Sequence, residues 1–388
     1  MSTRLAVVLV VVAVLVAGAL FVLRPPAGDR TSTGAGPAAG GPARPPAPAP
    51  APAGPSTTSV EGLFEVGFTQ PRYPDRPADH TGGLDEHLVG FIDTAQRSVD
   101  IAIYDFDLPN VAQALARANA RGAKVRMVTD TDTLESNNAA VKSAFKTLTQ
   151  AGIPIVDDKR RAIMHHKFVV VDGQVVLTGS WNFTTGDTYR LNNNAVIVHS
   201  PPVAQNYSAE FEKMFVDRKF GPSKPKGVPN PRVTVGTTTI ETLFSPQDDP
   251  DELLLRYVRA AKSKIDFLAF SFTDDTLGQA VMERAKAGVK VRGVFETTGS
   301  ETKYAEYGPM KAAGLEVYQD GNPYVLHHKV FVIDDRITVF GSYNFSDNAA
   351  TSNDENMLIV DDPALAASFT GEVERMLTLA KNPVKDRK

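Results

Sequence analysis

Two stretches of this chain carry the same polar frame. His165 to Asn182 reads HHKFVVVDGQVVLTGSWN, and His327 to Asn344 reads HHKVFVIDDRITVFGSYN. His165, Lys167, Asp172, Gly179, Ser180 and Asn182 recur at identical spacing as His327, Lys329, Asp334, Gly341, Ser342 and Asn344. Doubled, the set holds hydrogen-bond donors and a nucleophile and lacks a cluster of acidic ligands. Such a set suits an anion, and a phosphodiester is the first candidate. Two lysines can balance the charge of a five-coordinate phosphorus without a metal ion. Two imidazoles can divide the work of nucleophile and proton donor.

The elements around these residues must aim them. Residues two apart on a strand share a face, so His165 and Lys167 are expected to point together. His166 and His328, one position on, are expected on the opposite face as packing or supporting groups. The apolar run Phe168 to Val171 holds the first strand in a core, and Asp172-Gly173 suits a tight hairpin turn. Glycine at 179 and 341 is read as letting the backbone approach a ligand. No metal or other cofactor is expected: neighbouring histidines on a strand point apart, and the usual His, Asp and Glu ligand spacing is missing.

The rest of the chain repeats with the motif. SVDIAIYDF (Ser98 to Phe106) answers SKIDFLAFSF (Ser263 to Phe272), RGAKVRMV (from Arg121) answers AGVKVRGV (from Ala287), and AGIPIV (from Ala151) answers AGLEVY (from Ala313). VDIAIYDF reads as a buried strand. LPNVAQALARANARG has Val111, Leu115 and Ala118 at helical spacing and stops at Gly122. NAAVKSAFKTLTQAG is a second helix ending at Gly152. Strand and helix alternate, which argues an α/β sandwich with a mixed sheet, twice. The expected domains are residues 59–218 and 233–388, with the Pro- and Gly-rich segment 219–232 as linker.

Composition bounds the rest. The chain has 388 residues, no cysteine and a net charge of −4. Thiolate metal sites and disulfides are excluded, and a strongly basic nucleic-acid binder would look different. Leu5 to Leu23 is apolar throughout and would span about 28 Å as a helix. Residues 1–24 are therefore expected to be a signal anchor or signal peptide. Residues 25–58, rich in Pro, Ala and Gly, are expected to be a disordered tether. The expected location is the cell membrane, or secretion, with the catalytic part outside the cytoplasm.

H-x-K-x4-D-x6-G-S-x-N, present twice, resembles the signature of the phospholipase D superfamily, over residues about 60 to 380. The resemblance implies two α/β halves related by a pseudo-twofold axis, with one shared active site and no metal. It implies that one of His165 and His327 attacks phosphorus to form a phosphohistidine, while the other protonates the leaving alcohol and then activates water. Lys167 and Lys329 complete the catalytic set. Ser180, Asn182, Ser342 and Asn344 would bind phosphate or support the site, and Asp172 and Asp334 would be structural. Downstream, RLNNNAVIV aligns with SNDENMLIV, so Asn193 answers Glu355. By the resemblance this position orients the histidine of its own half. Glu355 beside His327 would make His327 the general acid, and Asn193 beside His165 would leave His165 the neutral nucleophile.

Three functions remain open on sequence. The first is a phosphodiesterase of phospholipase D type, acting on glycerophospholipids at a membrane surface, with the chain as a monomer because both motifs are its own. The second is a metal-independent nuclease of the same fold, for which KRRAIMHHK (Lys159 to Lys167) offers a basic strip. The third is a non-catalytic anchored binding protein.

Overall fold

Two rounds of alternating strand and helix build the protein, in a computed structural model that describes residues 56–60 and 62–384. The first half runs β1 (Ser56–Val60), β2 (Phe64–Phe68), α1 (Leu84–Asp93), β3 (Ser98–Ile103), α2 (Pro109–Ala120), β4 (Lys124–Thr129), α3 (Ala139–Gln150), β5 (Ile155–Asp157), β6 (Lys167–Val171), β7 (Val175–Gly179), β8 (Leu191–Asn192), β9 (Asn194–Val198) and α4 (Pro201–Phe215). The second half repeats it as β10 (Arg232–Val235), β11 (Thr238–Ser245), α5 (Pro250–Ala260), β12 (Lys264–Ala269), α6 (Asp275–Lys286), β13 (Lys290–Phe295), β14 (Glu316–Gln319), β15 (Val325–Leu326), β16 (Lys329–Ile333), β17 (Ile337–Gly341), β18 (Glu355–Asp361) and α7 (Pro363–Lys381). Each half forms an eight-stranded sheet, in the orders β1-β2-β9-β7-β6-β3-β4-β5 and β10-β11-β18-β17-β16-β12-β13-β14. β3, β4 and β5 run parallel and the motif hairpin β6–β7 antiparallel, so the sheets are mixed as expected. The helix read from Val111, Leu115 and Ala118 is α2; it buries those three residues and ends before Gly122, whose φ of 97° suits a residue without Cβ.

The core has three layers. α1 to α3 cover the outer face of the first sheet, around Leu88, Leu115 and Leu148. Leu254, Val281 and Met310 cover the outer face of the second. Between the sheets lies one continuous cluster, which includes Phe168 and Val170 from β6, Val330 and Val332 from β16, Phe211 from α4 and Phe369 from α7. This shared layer makes the two halves one body.

The motif hairpins are pinned by their aspartates. Asp172 accepts from the backbone N–H of Gln96, Arg97 and Ser98 at 2.7 to 3.3 Å, and Asp334 accepts from Lys262, Ser263 and Lys264 at 2.7 to 3.1 Å. Partial burial pushes both carboxyls up, but these N–H donors outweigh it and hold them below the ordinary range. The turns take positive φ at Asp172 and Gly173, as a tight hairpin with the twist of its strands requires. The motif glycines serve a different purpose from the one expected. A Cβ at Gly179 would lie 2.3 Å from the Asn194 carbonyl, and one at Gly341 equally close to that of Asn356. They admit a neighbouring strand, not a ligand.

The expected boundaries also change. β1 begins at Ser56, inside the segment assigned to the tether, and pairs with β2 in full register. Leu5 to Leu23 lies outside the described residues. Among the described residues no helix is long and apolar enough to cross a membrane.

Residues 219–232 are not a free linker. Gly221 donates its N–H to Asp354 Oδ1 at 2.7 Å. The Lys224 ammonium is fully buried between the carboxylates of Glu210, on α4, and Asp354. Arg160 Nη2 binds the other oxygen of Asp354 at 2.7 Å. Burial alone would push the Glu210 carboxyl up, but Lys224 and His166 hold it far below its ordinary range. Removing one partner of such a cluster leaves uncompensated buried charge. Lys224→Met is therefore expected to lower unfolding free energy by about 3–5 kcal/mol, measured by urea denaturation. A loss under about 1 kcal/mol would mean that the segment is a passive linker.

Candidate active site

Each motif strand begins at its lysine, just after the pair of histidines. β6 begins at Lys167, and His165 and His166 lie just before it. The His165 N–H donates to the Asp354 carbonyl of the other half at 2.9 Å. The His327 N–H donates likewise to the Asn192 carbonyl at 2.9 Å, next to the parallel pair β8–β15. Each catalytic candidate is thus anchored by backbone to the opposite half.

The side chains repeat that crossing. His165 Nδ1 lies 2.7 and 2.8 Å from the two Glu355 oxygens. His327 Nδ1 lies 2.8 Å from Asn193 Oδ1. The expected pairing within each half is overturned: Glu355 serves His165, and Asn193 serves His327. The reason is geometric. Residue 193 lies just before β9 and residue 355 opens β18, and those ends face the partner half across the pseudo-twofold axis. The next residue continues the pattern, since Asn194 Nδ2 approaches His328 Nδ1 at 2.9 Å and Asn356 Nδ2 approaches His166 Nδ1 at 3.4 Å.

Glu355 and Asn193 are both acceptors, so each imidazole carries its proton on Nδ1 and presents Nε2 to the site. The motif serines hold those acceptors rather than facing outward. Ser342 Oγ donates to Glu355 at 2.6 Å and Ser180 Oγ to Asn193 Oδ1 at 2.9 Å. Both are fully buried, which favours support over phosphate contact. Asn182 donates through Nδ2 to Asp187 at 3.2 Å. The side-chain oxygens of Asn182 and Asn344 are buried without a partner among the described residues.

Lys167 and Lys329 each donate to the carbonyl of the histidine two residues earlier, at 2.8 and 2.7 Å. Lys167 lies 5.2 Å from the ring centre of Tyr104, and Lys329 lies 4.5 Å from that of Phe270. The same two rings meet His165 and His327 edge-on, at 5.1 and 4.8 Å. Tyr104 and Phe270 were not singled out from sequence, though they occupy matching places in the repeated blocks.

Electrostatics tie the two motifs into one site. Burial pushes both imidazoles well below their ordinary range, and the two lysines push them further. Each lysine acts on the histidine of the other half as well as its own. Burial lowers Lys167 to about 8, against the pull of Glu355, Asp187, Asp105 and Asp130. Burial raises Glu355 to about 7, opposed first by Lys167 and then by the Ser342 hydroxyl. A neutral imidazole beside a carboxylate is the resting state this favours at His165.

His166 and His328 are fully buried packing groups, as expected. His328 Nε2 is 2.8 Å from Glu372, and His166 lies edge-on to Phe168 and Phe244. His166, Glu210 and Asp354 gather ligand-type atoms within 4.8 Å of one another, a grouping their sequence spacing did not reveal. The Lys224 ammonium stands between the two carboxylates and supplies the positive charge there. The basic strip Lys159 to Lys167 is also reduced. Arg160 is committed to Asp354, Lys167 is buried, and only Lys159 and Arg161 face solvent.

The crossing is directly checkable. Glu355→Gln should move the ¹⁵N resonances of the His165 ring and leave those of His327 nearly in place. The reverse result would restore pairing within each half.

Comparison with known proteins agrees with this architecture. The family described as "Cardiolipin synthase, PLD-like domain" matches residues 88–215 and again 254–377, more than half of the chain. A mitochondrial cardiolipin hydrolase of Xenopus tropicalis is 36% identical over 139 residues, which is 36% of this chain and 64% of that protein. A phospholipase D of Rickettsia prowazekii is 26% identical over 132 residues, 34% of this chain and 64% of that one. The chain thus spans somewhat less than two thirds of the length of these relatives. The first of these is named as a mitochondrial protein, and the membrane or secreted location expected from sequence is corrected on that finding. The crystal structure of a phosphatidylserine synthase from Haemophilus influenzae shares the fold over 82% of this chain and 89% of its own, with a TM-score of 0.60 at 11% identity. The doubled motif, the twin sheets and the two matched segments make this chain a member of the phospholipase D superfamily.

Proposed function

We propose that this protein is a phosphodiesterase of phospholipase D type that hydrolyses glycerophospholipids through a phosphohistidine. The observation that carries the reading is the crossed support of two buried imidazoles, His165 on Glu355 and His327 on Asn193, beside two lysines. Among the described residues no side chain bonds either Nε2, which this reading leaves for one substrate.

His165 is the nucleophile in this reading, for a reason opposite to the one sequence suggested. Its Nε2 lone pair attacks phosphorus, and Glu355 balances the positive charge that the ring gains. Lys167 and Lys329 balance the non-bridging oxygens. His327, protonated on Nε2, gives that proton to the leaving alcohol oxygen as the P–O bond breaks. It then takes a proton from water, whose oxygen attacks phosphorus and releases His165. A bound phosphodiester brings negative charge between the lysines. That offsets their depression of His327 and favours its protonated form.

A lipid substrate is favoured over nucleic acid by two observations. The relatives bear the names cardiolipin hydrolase and phospholipase D. Of the basic strip at the rim only Lys159 and Arg161 face solvent, since Arg160 is tied to Asp354 and Lys167 is buried, while Asp105 and Asp130 lie near Lys167. Such surroundings attract a polyanion poorly. Both motifs lie in one chain, so the site needs no residue from a second copy.

The test is an assay of the full chain with EDTA present, against phosphatidylcholine, cardiolipin and single-stranded DNA. Phosphatidic acid release from lipid is expected, and cleavage of DNA alone would reverse the substrate. His165→Ala should abolish turnover with lipid binding retained; turnover that survives it would remove the phosphohistidine route. The pH profile of kcat/KM is expected to be bell-shaped. Activity should fall below about 7 as Glu355 takes up a proton, and above about 8 as Lys167 loses one. Glu355→Gln should lower the plateau and erase the acid limb. Phosphate trapped on His327 would exchange the two histidine roles.

A further inference from the structure

The two halves differ where symmetry would put a second carboxylate. Glu355 holds His165, but its repeat counterpart, Asn193, is an amide. Six residues before these positions the difference reverses, with Asp187 in the first half and Ala349 in the second. Both pairs match at the same repeat offset as His165 and His327. Each half therefore keeps one buried carboxylate behind the opposite imidazole, carried at two different positions.

The geometry joins the replacements. Asn193 Oδ1 accepts from His327 Nδ1 at 2.8 Å. Asn193 Nδ2 donates to Asp187 Oδ1 at 3.3 Å and to the Asp187 carbonyl at 3.2 Å. Asp187 Oδ1 itself lies 3.5 Å from His327 Nδ1. The backbone carbonyl would help hold the amide whatever residue stood at 187. What the side chain adds is a carboxylate, which burial pushes up and which Asn182, Thr184, Lys167 and Lys329 pull back toward its charged form.

We infer that Asp187 is a positioning residue for His327, supplying through Asn193 the carboxylate that Glu355 supplies directly to His165. The inference rests on the reading that both imidazoles act on one phosphodiester. A plainer role must be weighed against it. Thr184 caps the short helix Thr185–Tyr189 by accepting from the Asp187 N–H, and Asp187 Oδ2 supports that cap by accepting from the Thr184 hydroxyl. That support uses Oδ2, whereas Oδ1 faces Asn182, Asn193 and His327. The equivalent helix, Asp347–Thr351, forms with Ala349 and no side-chain cap. Capping therefore does not require a carboxylate here. The site requires one, because a buried imidazole facing Lys329, Lys167, His165 and His328 is otherwise driven to its neutral form.

The test uses the full chain with Asp187→Asn, Asp187→Ala, Asn193→Glu, and the double change Asp187→Ala with Asn193→Glu. The double change installs the second half's arrangement in the first. NMR titration of the free protein should show the His327 pKa falling by at least about 1 in Asp187→Asn, and recovering in the double variant. Turnover should fall about 10- to 100-fold in Asp187→Asn and return in the double variant. Asn193→Glu alone should stay impaired, because it sets two carboxylates side by side. An unmoved His327 titration in Asp187→Asn would overturn the inference. So would a fall in turnover and thermal midpoint in Asp187→Ala that the double variant fails to restore, since that describes a helix cap alone. The titration needs no substrate. A wild-type chain that turns over no phosphodiester would therefore end the functional reading, while the titration still decides the role of Asp187.

Discussion

The structure depends on one constraint: neither half can orient its own histidine. His165 takes its backbone anchor from Asp354 and its side-chain partner from Glu355, while His327 takes them from Asn192 and Asn193. An imidazole must be held in one tautomer and one rotation to present Nε2. Here that holding comes from across the pseudo-twofold axis. Folding either half alone would leave a strand that ends in an unsupported histidine. The continuous apolar layer between the sheets then has a functional meaning, because it fixes the distance over which those hydrogen bonds form.

Burial is the second theme. The site gathers two lysines, two imidazoles and carboxylates in a largely buried region, where every charge is felt strongly. Lys167 is lowered to about 8 and Glu355 is raised to about 7, so both titrate near neutrality. Such tuning is common where proton transfer must occur at ordinary pH. Behind the site, Lys224 with Glu210 and Asp354 on one side, and Arg375 with Glu372 and His328 on the other, brace the strands that carry the motifs. The brace on the first side recruits the segment between the halves, which is why Phe220, Gly221 and Lys224 are buried in an otherwise largely exposed Pro- and Gly-rich stretch.

The departures from symmetry are informative because the background is so regular. Aspartates 172 and 334 do the same work, glycines 179 and 341 meet the same contact, and serines 180 and 342 hold equivalent acceptors. Against that, the exchange of Glu355 and Ala349 for Asn193 and Asp187 makes the two imidazoles unequal. A two-step displacement needs such inequality, since one ring must bond phosphorus while the other carries the proton.

Much of this protein was written locally. The strand β3, the helix α2 with its stop at Gly122, and the motif hairpins follow from periodicity and turn chemistry, which act over a few residues. The identity of the site's histidines and lysines was legible because the frame occurs twice. The structural role of the two motif aspartates followed from the family resemblance. Partnership was not legible. In the alignment of the halves Glu355 stands to His327 as Asn193 stands to His165, and only the packing of one sheet against the other makes each serve the opposite histidine. The role of Gly179, the commitment of Arg160 to Asp354 and the burial of Lys224 were hidden for the same reason. Each is set by a contact between segments distant in the chain, whose free energy comes from excluding water at an interface that no local pattern encodes.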